Sequence, residues 1–203
     1  MIIRLFVVLY LQGDYKKMKN AEIDLSHILL TTDRLILRPF AFSDLDDFYE
    51  YAKVDGVGEC AGWVHHKSKE ESNEILNMFI KEKKTFAIVY KENNKVIGSL
   101  GIEETSEIYG KYIEENAKIR TLGYVLSKDY WGKGLMTEAV KTVITYLFTN
   151  NIVDYLSIDH YCFNNRSQRV IEKCGFRFVF DGMAKTRYNT IEKAKYYLLK
   201  KEK

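Results

Sequence analysis

Hydrophobic and polar positions change period several times along this chain, and each change marks an element. Residues 34–39, Arg-Leu-Ile-Leu-Arg-Pro, alternate as a strand that ends at Pro39, the sole proline. Ser43 is a candidate helix cap, with Asp44, Asp46 and Asp47 in the first turn and Leu45, Phe48 and Tyr51 on one face. A glycine-containing loop over 55–67 leads to Ser68, which with Glu71 forms a capping-box pattern for a helix running to Lys83. Strands over 85–90 and 95–103 flank the turn Glu92-Asn93-Asn94, and 104–117 read as a charged loop. A strand from Leu122 to Ser127 runs into Gly132-Lys133-Gly134. A helical pattern follows at once through Thr137, Ala139, Val140, Val143, Ile144 and Leu147. A strand over 155–161, a short helix over 167–173 stopped at Gly175, and strands over 177–181 and 195–199 complete the order. The pattern predicts one mixed α/β domain over 21–203, without repeats, linkers or low-complexity runs.

A strand feeding a glycine loop that opens a helix builds an anion site. Glycines let backbone N–H groups approach a phosphate, and the helix N-terminus adds partial positive charge. The inferred ligand is a pyrophosphate. A Walker loop requires Gly-x-x-x-x-Gly-Lys-Ser/Thr, whereas here Lys133 lies between glycines two apart. A dinucleotide fingerprint requires a third glycine where Thr137 stands, and it belongs to a first strand, not past mid-chain.

Downstream, Asn-Asn-Arg-Ser-Gln-Arg-Val-Ile-Glu-Lys-Cys-Gly-Phe spans 164–176. Tyr-Trp-Gly-Lys-Gly-Leu-Met-Thr-Glu-Ala followed by this segment resembles the GNAT superfamily of acetyl-coenzyme A dependent N-acetyltransferases. The resemblance is to the branch of RimJ/RimL-type ribosomal-protein N-terminal acetyltransferases. It extends upstream to Thr32-Asp33-Arg34-Leu35-Ile36-Leu37-Arg38-Pro39 and to Val96-Ile97-Gly98-Ser99-Leu100-Gly101. It implies a GNAT-like mixed sheet, with central strands splayed around the cofactor and helices on both faces.

It also implies roles. Backbone groups of Gly132, Lys133, Gly134, Leu135, Met136 and Thr137 would cradle the pyrophosphate of acetyl-coenzyme A. Those of Val125, Leu126 and Ser127 would hold the pantetheine arm and polarise the thioester carbonyl. Trp131 would pack the loop or touch the cofactor. Asn164 would bond pantetheine, and Ser167 would donate to the leaving thiolate; a helix-terminal structural role for Ser167 is the alternative. The slot in which many members carry a tyrosine acid holds Ile171. The acid often found before Leu-Gly-Tyr is replaced by Thr121. Asp129 stands where the superfamily usually has Arg or Gln. Glu103 is the first candidate base. Trp63 and His66 line the loop expected to form the acceptor wall. The acceptor is a primary amine, either a protein N-terminus or a small molecule; a non-catalytic acyl-coenzyme A sensor is the rival from another class.

Lys plus Arg number 31 and Asp plus Glu 28, so the net charge of +3 is too mild for nucleic acid or an anionic membrane as main partner. Cys60, Cys162 and Cys174, an odd count without Cys-x-x-Cys, read as reduced thiols of a cytoplasmic, bacterial-type protein, with Cys162 and Cys174 packed in the core. His27, His65, His66 and His160 show no metal-ligand spacing, so no metal is expected. Residues 2–11 are apolar except Arg4, too short for a membrane span and without signal-peptide features. Residues 1–20 read as an extension: either an extra element packed on the domain or a second subunit, or a misplaced start with Met18 the true beginning. A monomer and a homodimer both fit.

Overall fold

A computed structural model describes residues 16–202. The readings of the apolar N-terminal run fall outside the described residues. Nine strands and four α-helices follow one another among those described. In chain order they are β1 (Lys19–Asn20), β2 (Leu30–Thr31), β3 (Leu35–Pro39), α1 (Leu45–Ala52), α2 (Lys69–Glu82), β4 (Thr85–Tyr90) and β5 (Lys95–Glu103). Then come β6 (Lys118–Leu126), α3 (Leu135–Thr149), β7 (Tyr155–Tyr161), α4 (Asn165–Lys173), β8 (Arg177–Lys185) and β9 (Ile191–Lys200). The fold is mixed α/β, as expected from the pattern.

The chain divides into two compact units. The first comprises Ile23–Ile102 and Gly123–Val143. Its strands β2, β3, β4 and β5 pair antiparallel in sequence order, with Ile36 opposite Val89 and Phe86 opposite Leu100. Leu35, Leu37, Phe86, Ile88 and Leu100 are buried from the sheet, and Phe48, Leu76 and Phe79 from the helices. Phe40 and Phe48 each lie within aromatic contact of Phe79, at 5.3 and 5.7 Å between ring centroids.

Helix α1 starts differently from expectation. A 3-10 turn over Phe42–Asp44 precedes it, with Ala41 as N-cap, and Ser43 makes no cap. Instead the Asp44 carboxylate accepts the Ala41 N–H at 2.8 Å and a bidentate pair from Arg38 at 2.7 Å each. An ionised acceptor with two donors outcompetes a hydroxyl for this position. Ser68 does cap α2, accepting from Glu71 N–H at 3.2 Å.

The second unit comprises the described residues up to Glu22, with Glu103–Leu122 and Ile144 onward. Here β1 and β7 run parallel to β6, while β9 pairs antiparallel with both β7 and β8. Tyr109, Ile113, Tyr155, Tyr161, Tyr196 and Leu198 form its core, against which Met18 packs. The loop expected over 104–117 contains a 3-10 turn, Glu107–Lys111, that buries Tyr109. Cys174 is buried, but Cys162 is exposed, contrary to its expected place in the core. It stands just past the end of β7, a strand buried along its whole length.

The β6–β7 ladder is short. It pairs Ile119 with Tyr155, Arg120 with Leu156 and Thr121 with Ser157. Strand β6 continues to Leu126, so its last residues belong to the first unit. No helix among the described residues is long and apolar enough to cross a membrane.

Candidate functional site

In the first unit, Ser127 ends the extended run and a 3-10 turn over Lys128–Tyr130 carries the chain to Trp131. Gly132 and Gly134 then adopt φ of +77° and +78°. Side-chain-bearing residues are strained in that region, which is why glycines stand there. A Cβ built on Gly132 meets nothing within 4 Å, so backbone conformation and not crowding selects glycine. Helix α3 closes its first bond from Glu138 N–H to Gly134 O at 3.1 Å. The first N–H groups of a helix lie beyond the reach of its own i−4 carbonyls. Gly132, Lys133 and Gly134 are exposed, while Leu135 and Met136 turn their side chains into the core. The exposed turn thus offers backbone donors at a helix N-terminus, the arrangement that a diphosphate fits.

A clamp absent from the sequence reading holds this turn. Arg34 donates to Glu138 Oε2 from Nε at 2.8 Å and from Nη2 at 2.6 Å, and its Nη1 donates to Lys133 O at 2.9 Å. Thr32 Oγ1 and the Arg34 N–H donate to Glu138 Oε1. Burial pushes the Glu138 carboxyl up, but the bonds from Thr32 and Arg34 outweigh it and hold the carboxyl below its ordinary range. Lys133 stands over the Tyr130 ring, 5.1 Å from its centroid. Tyr130 in turn accepts from Asn93 Nδ2 at 2.8 Å.

The three candidate amides of Val125–Ser127 are not equivalent. Ser127 N–H donates to Ile97 O at 2.8 Å, so it is spent on β5. Val125 O also faces β5, for a Cβ built on Gly98 would lie 2.3 Å from it. By strand alternation the Leu126 amide points to the opposite edge. On that edge Trp131 Nε1 donates to Leu126 O at 2.8 Å. Trp131 thereby ties the glycine turn to the strand that precedes it.

Trp63 and His66 lie in the same unit. Trp63 is half-buried, its ring 4.9 Å from that of His66. His66 is only 6% exposed, bonds Ser72 Oγ through Nδ1 at 2.7 Å and meets the Phe48 ring edge-on at 5.5 Å. Its surroundings are those of a packed core residue rather than an acceptor contact. The half-buried histidine of the pair is His65. His65 Nδ1 lies 2.9 Å from Glu59 Oε1 and 3.6 Å from Asp55 Oδ1, and Lys67 Nζ lies 2.6 Å from its Nε2. Asp55, Glu59 and His65 could offer ligand atoms to an ion within 4.8 Å of one another. Glu59 is nevertheless occupied by the N–H groups of Gly56 and His65, at 2.7 and 3.0 Å, so its visible task is to fold the loop.

In the second unit Asn164 is the N-cap of α4. Its Oδ1 accepts the Ser167 N–H at 3.1 Å, which places Ser167 in the first turn of that helix. Ile171 is fully buried, in keeping with a packing role. Glu103 is half-buried at the end of β5. Burial lowers the Arg120 guanidinium, and the charges of Glu104 and Glu103 oppose that shift. Thr121 Oγ1 donates to Thr105 Oγ1 at 3.0 Å and lies 2.6 Å from Ser157 Oγ, forming a buried hydroxyl cluster.

Residues 34–177 match the family model described as Acetyltransferase (GNAT) domain. Solved structures give the same fold. A GNAT-family acetyltransferase from Bacillus anthracis is 19% identical, with a TM-score of 0.73 over 87% of this chain and 100% of that one. The microcin C7 self-immunity acetyltransferase MccE, in complex with acetyl-CoA and AMP, is 17% identical, with a TM-score of 0.69 over 83% and 93%. RimL, a ribosomal L7/L12 α-N-protein acetyltransferase in complex with coenzyme A, is 14% identical, with a TM-score of 0.66 over 85% and 98%. No curated protein matches.

Proposed function

The chain belongs to the GNAT acetyltransferase family, and from that premise we propose that it moves an acetyl group from acetyl-coenzyme A to a primary amine by direct attack in a ternary complex. The observation that carries this reading is the turn at Gly132 and Gly134, two positive-φ glycines leading directly into the N-terminus of α3. Backbone donors from Gly132 to Met136 would hold the diphosphate. The thioester carrier supplies an activated acetyl group when bound. Of the strand amides, Leu126 is the one directed away from β5, which supports it as donor to the carbonyl oxygen. Its partner on that edge, Trp131, would keep the carbonyl of the same residue from competing.

Ser167 and the Asn164 carboxamide stand together at the start of α4. A hydroxyl there could donate to a departing thiolate, assisted by the helix N-terminus. A protein N-terminus is the preferred acceptor, because RimL acts on one and its fold is shared. Titration calorimetry with acetyl-coenzyme A, followed by thiol-release assays on peptides with an unblocked α-amine and on small amines, tests the reading. Cofactor binding with peptide turnover is the expected result. Absence of acetyl-coenzyme A binding would overturn it.

A further inference from the structure

We propose that Tyr130 is a positioning residue that holds the Lys133 ammonium in place for the diphosphate of acetyl-coenzyme A, an inference that rests on the acyl-transfer reading above. Lys133 stands between the two positive-φ glycines, and its backbone is fixed there by the bond from Arg34 to its carbonyl. Its side chain is exposed, yet Nζ lies over the Tyr130 ring, 5.1 Å from the centroid. That distance is within the range at which a ring face attracts a cation. An unanchored lysine spreads its charge over many rotamers, whereas one resting on a ring face keeps it in one place.

The ring is itself held. The Tyr130 N–H closes the 3-10 turn onto Ser127 O at 3.1 Å. From the turn between β4 and β5, Asn93 Nδ2 donates to the phenol oxygen at 2.8 Å. Tyr90 meets the ring edge-on at 5.3 Å, and its own hydroxyl donates to Glu92 Oε2 at 2.5 Å. A half-buried tyrosine with these contacts is a fixed seat, and through it the β4–β5 hairpin reaches the glycine turn. All of these residues belong to the first unit.

Charge gives the seat its purpose. Asp129 is exposed in the same 3-10 turn and sets a carboxylate beside the proposed diphosphate turn. Lys128, the other cation of that 3-10 turn, lies over Trp131 at 5.8 Å. The Lys133 ammonium is within one Debye length, about 10 Å at 0.1 M salt, of the amides that flank its own Cα. Its attraction for a bound diphosphate adds to theirs, and fixing it beforehand removes the cost of ordering it from the binding step. Lys133 supplies the charge and Tyr130 the place.

Titration calorimetry with acetyl-coenzyme A at about 50 and about 500 mM potassium chloride tests the pair, with melting temperatures read on the same samples. Tyr130→Leu keeps apolar bulk but loses the ring face, and should weaken binding by about threefold to fivefold at the lower salt and by less at the higher. Tyr130→Phe keeps the ring and should bind near the wild-type value. Lys133→Met should lose at least as much as Tyr130→Leu and show a shallower salt dependence. Tyr130→Leu added to Lys133→Met should cost nothing further, because the ring then has no cation to hold. A full second loss in the double variant would overturn the proposal, since the ring would then act on the turn itself. Unchanged affinity in Tyr130→Leu at the lower salt would overturn it as well. If wild type binds acetyl-coenzyme A and Lys133→Met binds it equally, the positioning proposal falls while the backbone cradle stands. If wild type binds none, the acyl-transfer reading falls and takes the proposal with it.

Discussion

Arg34 and Glu138 meet across 104 residues of sequence, with Nε and Nη2 of the guanidinium on one carboxylate oxygen at 2.8 and 2.6 Å. The remaining Arg34 nitrogen, Nη1, reaches Lys133 O, so the pair holds the backbone between the two glycines. An exposed ion pair contributes under about 1 kcal/mol to folding, but here it fixes the geometry of a binding turn. Arg34→Ala should therefore weaken acetyl-coenzyme A binding by about fivefold to tenfold, roughly 1 kcal/mol, while barely moving the melting temperature. Calorimetry checks this; an unchanged dissociation constant would show that the clamp does not shape the turn.

The two glycines separate strain from charge. Gly134→Ala places a methyl at φ +78°, with only Arg34 Nη2 near at 3.7 Å. The cost is backbone strain of about 1–2 kcal/mol, without a clash. Gly134→Asp adds an anion facing the diphosphate and should abolish cofactor binding. Equal affinities in the two variants would contradict an anion site.

Acid should loosen the protein through Glu138 and Glu59. For both, burial alone raises the carboxyl, yet hydrogen bonds leave each below its ordinary value of 4.5. A carboxyl depressed in the folded state contributes stability that is full above pH 4.5 and declines as pH falls through the lower, folded value. Melting temperatures between pH 6 and pH 3 should fall less steeply in Glu138→Gln than in wild type. Parallel curves would remove Glu138 from the account.

His66 separates packing from catalysis. His66→Ala empties a site against Phe48, Trp63 and Ser72 and should cost about 2–3 kcal/mol of stability. Turnover per folded molecule should stay at the wild-type level. A selective loss of kcat would restore the histidine as an acceptor-site residue.

Asn164→Ala removes a cap and should cost about 1 kcal/mol of stability, whereas Asn164→Asp retains the acceptor oxygen and should melt near wild type. If the carboxamide also bonds pantetheine through its nitrogen, Asn164→Asp will still lose acetyl-coenzyme A affinity. Denaturation and calorimetry on the same samples distinguish the two tasks.

Much of the fold was legible because local chemistry determined it. Strands β4, β5 and β7 begin and end where alternation and the Asn94 turn place them, and Asn94 takes φ of +57°. The Gly132–Gly134 turn was legible for the same reason, since glycine adopts its backbone at the least cost. What stayed hidden depended on partners distant in sequence. Nothing near Ser43 announces that Arg38 and Ala41 will claim Asp44. Nothing near Glu138 announces Arg34. Spacing alone does not tell His65 from His66, because which of two adjacent side chains turns inward is decided by the helix packed against the loop, here through Phe48. The bond of the Ser127 amide to Ile97 was hidden because it depends on the register of β5 against the end of β6.

Neither compact unit is an unbroken stretch of chain. Strand β6 and helix α3 each begin in one unit and finish in the other. A gene fragment spanning residues 23–102 would therefore encode the Arg34 half of the clamp without its glycine turn. Recombination among relatives cannot exchange the first unit as one cassette: two crossover blocks must travel together, and chimaeras that move only one should lose cofactor binding before they lose their sheets.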